Sequence, residues 1–227
     1  MVAYREYFDD TKKDGAVRGF LHPAEATSDD CLVLTHGAGS NCNAPLLVAL
    51  AEQFCQSGCN VLRCDLPFRQ SRPHGSPIRG SAELDQRGLR AAVESMRQLF
   101  SGEIFLGGHS YGGRQATMLA ASEPGLVPAL LLLSYPLHPP KQMDKMRTSH
   151  FPQLQTRSIF VHGTRDGFGS LEEMTAALEL IPAPTQLMPV KSAGHELLTK
   201  ANRATLPGSV EEAFRLFTKS DESERGV

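Results

Sequence analysis

The chain has 227 residues, 41% of them hydrophobic and 21% charged, enough for one well-buried domain and short for two. Its formal net charge of −2 supplies no field that would draw it to nucleic acid or to an anionic membrane. No apolar run is long enough to span a bilayer, and the N-terminal stretch MVAYREYFDDTKKDG lacks the apolar segment of a signal peptide, so the expectation is a cytoplasmic protein without a membrane partner.

Short β-type runs alternate with helical patterns along the chain. That alternation predicts an α/β fold, with a mostly parallel central sheet and helices on both faces. Residues 16–21 predict an antiparallel edge strand. Residues 31–36 give the first buried strand, followed by a helix over 45–56 that opens with Pro45, a residue suited to the first helical position. A strand over 60–65 leads into a long segment, 66–79. Residues 82–100 then place Leu89, Ala92, Val93, Met96, Leu99 and Phe100 on one helical stripe. A strand over 104–108 runs into a helix over 111–122, which Pro124 stops. A strand over 129–134 precedes a second long segment, 135–157, and then a strand over 158–162. Ser170 and Glu173 form a capping box in front of Met174, Ala177 and Leu178. The last strand covers 185–190 and the last helix lies near 209–217. Most strand runs are almost continuously apolar, as sheets covered on both faces require. Residues 1–218 are thus expected to form a single domain, with a disordered charged tail over 219–227.

All five cysteines, Cys31, Cys42, Cys55, Cys59 and Cys64, fall in the first third of the chain, and the count is odd. Reduced thiols are the simpler reading. Cys55 and Cys59 are spaced by one helical turn, but no further ligands accompany them, so neither a metal nor a cofactor is expected.

Residues 104–113 read Ile-Phe-Leu-Gly-Gly-His-Ser-Tyr-Gly-Gly. The stretch Gly108-His109-Ser110-Tyr111-Gly112 is G-x-S-x-G between a strand and a helix, the setting in which a serine is lifted from the sheet as a nucleophile. The turn is sharp, and its crowding demands residues without a Cβ two positions to either side of the serine. The helix start beneath offers free N–H groups and a positive dipole end to a developing oxyanion. On an open α/β sheet of this kind the acid and the base follow the serine in that order. Of the acids between Ser110 and His195, only Asp166 stands just past a predicted strand, where functional groups of such sheets gather. His195 is then the base left in order, after the strand ending at Val190 and behind the small residues Ser192-Ala193-Gly194. A second glycine-rich strand end, Val33-Leu-Thr-His-Gly-Ala-Gly39, predicts an oxyanion hole built from the backbone N–H groups of Ala38 and Tyr111, with His36 structural beneath it.

These phrases resemble α/β-hydrolases over nearly the whole chain. Leu34-Thr-His-Gly-Ala-Gly-Ser40, Gly107-Gly-His-Ser-Tyr-Gly-Gly-Arg114, Ser134-Tyr-Pro-Leu-His138 and Val161-His-Gly-Thr-Arg-Asp166 are similar, more narrowly, to a family of small α/β-hydrolase-like proteins. That family includes bacterial members, a testis-expressed vertebrate protein and a subunit of a chromatin-regulating acetyltransferase complex. The resemblance implies the fold and the positions of the triad, and it implies no substrate. A more distant likeness is to dienelactone hydrolases, which carry cysteine where this chain has Ser110, so their activity does not transfer.

The expected reaction is hydrolysis of a small ester or thioester by a serine enzyme. A catalytically silent binding or scaffold protein and a peptidase are the alternatives. The segment 135–157 is too short for a separate cap domain, which predicts an open site. Phe68, Leu137, Met143, Phe151 and Phe168 are candidate pocket walls or ordinary packing. Arg69 and Arg72, past a strand end, are candidate contacts for an anionic group on a small-molecule substrate, against the alternative of a solvated charged surface. Acyl and alcohol groups, oligomeric state and pathway stay open at this level.

Overall fold

A computed structural model describes residues 4–24 and 29–219. In these residues eight strands form one sheet: β1 (Arg5–Asp9), β2 (Val17–His22), β3 (Cys31–Thr35), β4 (Asn60–Cys64), β5 (Ile104–His109), β6 (Ala129–Leu133), β7 (Arg157–Gly163) and β8 (Thr185–Val190). Their spatial order is β1-β2-β4-β3-β5-β6-β7-β8. From β4 to β8 every neighbouring pair is parallel, whereas β2 runs antiparallel to both β1 and β4. The strand expected at the edge, β2, therefore lies one place inside it. The true edge is β1, whose mostly exposed Arg-Glu-Tyr-Phe-Asp sequence carries too weak an apolar alternation to announce itself.

Among the described residues six helices cover the sheet: α1 (Pro45–Gln56), α2 (Pro67–Ser71), α3 (Ser81–Leu99), α4 (Tyr111–Ser122), α5 (Leu171–Leu178) and α6 (Leu206–Lys219). Side chains alternate across each strand, so successive residues feed opposite layers. Leu32, Leu34, Leu131, Leu133, Ile159 and Val161 pack with Leu47, Leu50 and Phe54 of α1 and Val210 and Phe214 of α6. Val33, Leu106, Leu130 and Leu132 face the other way, onto Leu89 and Met96 of α3, Leu119 of α4 and Met174 of α5. Burying one such leucine contributes roughly 1.5–3 kcal/mol, and truncating it to alanine costs about 2–5 kcal/mol once the cavity is included.

The two long segments differ from bare loops. Residues 66–79 contain α2, and residues 135–157 contain a 3-10 turn at Phe151–Gln153 and no separate cap. The capping box at α5 is formed: Glu173 N–H donates to Ser170 Oγ, and Ser170 N–H donates to the Glu173 carboxylate. The helix carrying Cys55 ends at Gln56, so Cys59 sits beyond it and the two thiols do not share a helical face. Among the described residues there is no cluster of three or more metal-ligating side chains and no helix long and apolar enough to cross a membrane. Lys219 still belongs to α6, and the rest of the expected tail, 220–227, lies outside the described residues.

Candidate active site

Ser110 sits between β5 and α4 with φ 52° and ψ −115°, a left-handed conformation rarely taken by a residue with a side chain. The turn is possible because of its glycines. A Cβ on Gly108 would come within 2.6 Å of the Gly112 and Gly113 backbone, and a Cβ on Gly112 within 2.6 Å of the His36 carbonyl oxygen. The strand feeds straight into the helix, and Ser110 N–H donates to Leu133 O at the neighbouring strand end.

Asp166 and His195 reach the same spot from β7 and β8. Gly163 lets their loops close on each other, since a Cβ there would lie 2.5 Å from the Ala193 carbonyl oxygen. Arg165 N–H donates to Ala193 O, and Ser192 N–H donates to the Thr164 hydroxyl, so the two turns are stitched together. His195 Nδ1 lies 3.0 and 2.9 Å from the two Asp166 carboxylate oxygens, and Nε2 lies 2.8 Å from Ser110 Oγ. A carboxylate only accepts, so Nδ1 carries the proton and Nε2 is left to accept from the serine hydroxyl. The Asp166 carboxylate is fully buried, while the His195 side chain keeps 20% exposure. Burial alone pushes the Asp166 carboxyl up. The hydrogen bond and charge of His195, the Phe168 N–H and the charge of His162 outweigh it and hold the carboxyl below its ordinary value.

Two residues that the sequence did not single out for this role complete the support. His109, buried and kept below its ordinary pKa chiefly by that burial, donates from Nε2 to the His195 carbonyl oxygen at 2.9 Å. Phe168, one of the candidate walls, lies over the His195 ring with centroids 4.1 Å apart and 30° between planes. The motif that flags Ser110 contains His109 at a position where any residue is allowed, so no sequence signal separates it from a spacer.

Opposite Ser110 runs the loop after β3. The His36 ring is buried; Nδ1 donates to Gly37 O at 2.8 Å and Nε2 accepts from Leu66 N–H. Ser40 N–H also donates to Gly37 O. A trans peptide sets N–H opposite to C=O, so fixing Gly37 O turns the Ala38 N–H the other way. Tyr111 opens α4, and the first N–H groups of a helix have no partner inside it. Among the described residues neither the Ala38 nor the Tyr111 N–H has an intramolecular acceptor.

A cavity of about 630 Å³ opens over these groups, lined by Ser110, His195 and Phe168, by Leu46 and Leu47 of α1, and by Leu198. The arginines expected to meet an anion are placed otherwise. Arg69 is buried, and its guanidinium donates to the carbonyl oxygens of Ser40 (2.7 Å), Ala38 (3.0 Å), Arg72 (3.0 Å) and Gly75 (2.9 Å). With four of its N–H groups given to main-chain carbonyls and its side chain absent from the cavity wall, Arg69 is no substrate contact in this arrangement. Arg72 is exposed and absent from the cavity wall; the cations that do line it are Lys200 and Arg203. Phe68, Leu137 and Phe151 are core residues, and Met143 is 65% exposed, so of the five candidate walls only Phe168 faces the cavity.

A family model of the alpha/beta hydrolase domain matches residues 28–219, and the chain belongs to that family. Solved structures share the architecture. An alpha-beta serine hydrolase homologue from Coxiella burnetii superposes with a TM-score of 0.75 at 15% identity, covering 92% of this chain and 96% of that one. Est1E from Butyrivibrio proteoclasticus gives 0.73 at 16%, covering 93% and 98%. A dienelactone hydrolase from Anabaena variabilis gives 0.72 at 20%, covering 93% and 97%. At these identities the likeness is one of fold.

Proposed function

We propose that this protein is a serine hydrolase that cleaves a small ester or thioester through an acyl-enzyme. The carrying observation is the His195 ring, held between the buried Asp166 carboxylate and the Ser110 hydroxyl with its acceptor nitrogen toward the serine. In the proposed reaction Ser110 Oγ attacks the carbonyl carbon while its proton passes to His195 Nε2. The carbonyl oxygen becomes an oxyanion facing the Ala38 and Tyr111 N–H groups. The C–O or C–S bond to the leaving group breaks, and the imidazolium returns the proton to that group. Water, deprotonated by His195, then attacks the acyl-serine carbonyl; the bond to Ser110 Oγ breaks, the imidazolium returns its proton to that oxygen, and the carboxylic acid leaves. Asp166 keeps the ring tautomer and stabilises the imidazolium. Leu46, Leu47 and Leu198 give the acyl chain an apolar wall.

The test is a panel of p-nitrophenyl esters of increasing chain length, with Ser110→Ala as the comparison. Turnover that disappears in the variant supports the reading. A folded wild-type protein that turns over none of the panel, or a Ser110→Ala protein that keeps the activity, overturns it in favour of a silent binding protein or a different nucleophile.

A further inference from the structure

The short helix α2 sits at the meeting point of both halves of the oxyanion hole, and two adjacent residues serve the two halves. Arg69 is a buried cation whose hydrogen-bond partners are all carbonyl oxygens, two of them in the loop that carries Ala38. A lysine could reach one of these oxygens as a point donor; the planar fork of arginine spans Ala38 O and Ser40 O together. With Gly37 O held by His36 and with Ala38 O and Ser40 O held by Arg69, the peptide planes on both sides of the Ala38 residue are fixed.

The neighbouring residue serves the other half. Phe68 N–H donates to Oδ1 of Asp85 on α3 at 3.0 Å, and the Tyr111 hydroxyl donates to Oδ2 of the same carboxylate at 2.7 Å. Asp85 is fully buried, and no cation is among its partners. The Phe68 ring packs edge-on to Tyr111 at 5.7 Å and against His36 at 5.6 Å. The contact between α2 and α3 is close because Gly88 faces Pro67; a Cβ at 88 would lie 2.4 Å from the proline ring.

We infer that Arg69 and Asp85 are positioning residues for catalysis, and that α2 is a strut setting the Ala38 and Tyr111 N–H groups at one fixed separation. This inference rests on the serine-hydrolase reading above. Neither side chain meets substrate; each acts through the backbone donor it anchors. The geometry explains why a cation and a carboxylate are buried near each other without pairing, since each is satisfied by a different half of the hole.

The experiment uses Arg69→Met, Arg69→Lys, Arg69→Ala and Tyr111→Phe in the full chain, with kcat and KM for the best p-nitrophenyl ester, normalised to sites titrated by a fluorophosphonate. Misaligned oxyanion donors lower kcat by about 10- to 100-fold with KM changed by less than about threefold. Affinity for an alkylboronic acid, which presents a tetrahedral anion, falls in parallel. Lysine at 69 does not restore kcat, whereas millimolar guanidinium ion partly restores it in Arg69→Ala. A merely structural role predicts lower melting temperature with wild-type kcat per titrated site, and that result in both Arg69→Met and Tyr111→Phe overturns the inference. Should Arg69→Met fail to fold, Arg69→Lys and Tyr111→Phe carry the same comparison. Loss of the strut effect with hydrolysis still abolished by Ser110→Ala removes this inference alone; hydrolysis that survives Ser110→Ala removes the underlying reading.

Discussion

Gly112→Ala probes how tightly the turn at Ser110 is built. Gly112 is the second residue of α4, and a Cβ there would stand 2.6 Å from both His36 O and Thr35 Cγ2. Ordinary contact begins near 3.4 Å, so the start of α4 and the end of β3 must separate by about 0.8 Å. Neither side can yield by a rotamer change alone, because His36 O is main chain. The separation opens the gap between Ser110 with Tyr111 N–H on one side and the Ala38 loop on the other. A displacement near 1 Å costs on the order of 10²-fold in rate, so kcat/KM for an ester is expected to fall about 10- to 100-fold. Overpacking of this kind also costs about 1–3 kcal/mol. For a domain of this size that lowers the melting temperature by about 2–12 °C. Steady-state kinetics and a thermal scan on the same preparation read both effects. A variant with wild-type kcat/KM and melting temperature refutes the steric reasoning.

Two further outcomes follow from the same geometry. Asp166→Asn replaces an acceptor by an amide that can donate to the ring, favouring the wrong His195 tautomer; kcat is expected to fall by about 10⁴ with melting temperature nearly unchanged, and retention of a tenth of the activity would contradict the assignment. Stability should depend on pH through His22, which is fully buried, accepts from Arg63 Nε at 2.8 Å, and is pushed down to about 4 by burial and then by the Arg63 charge. The unfolded chain takes up a proton at this histidine near 6.5 and the folded one does not until about 4. The stabilising contribution is complete above pH 6.5 and is lost as pH falls from 6.5 toward 4. His150, lowered to about 4 by burial and the Arg114 charge, adds in the same direction. A melting temperature that stays flat over that window counts against both.

The parallel core of the sheet was readable because its strands are continuous apolar runs punctuated by glycine, and the positions that became the candidate site stand at three strand ends in a fixed order. Ser110, Asp166 and His195 could be picked from residue type and order alone, and the structure brings them within hydrogen-bonding distance. The backbone donors Ala38 and Tyr111 could be read from their glycine-rich strand ends; what could not be read were the side chains that act on distant main-chain groups. Arg69 in a linear sequence is a cation in a loop, and its partners are carbonyl oxygens that carry no sequence identity. Asp85 lies on an amphipathic helix, where an acid ordinarily marks the wet face. It is buried because Tyr111 and the Phe68 backbone meet it there. His109 likewise acts on a carbonyl 86 residues away. Strand β1 leaves no sequence signal for another reason: an outermost strand is half solvated and loses the apolar alternation on which recognition depends.

The most direct test of the central claim is covalent. The protein is incubated with a fluorophosphonate, digested, and the modified peptide sequenced by mass spectrometry. The account predicts a single stoichiometric adduct on Ser110, with labelling slowed strongly in His195→Ala and Asp166→Asn. An unlabelled protein, or an adduct on another residue in a folded chain with intact Ser110, would contradict it.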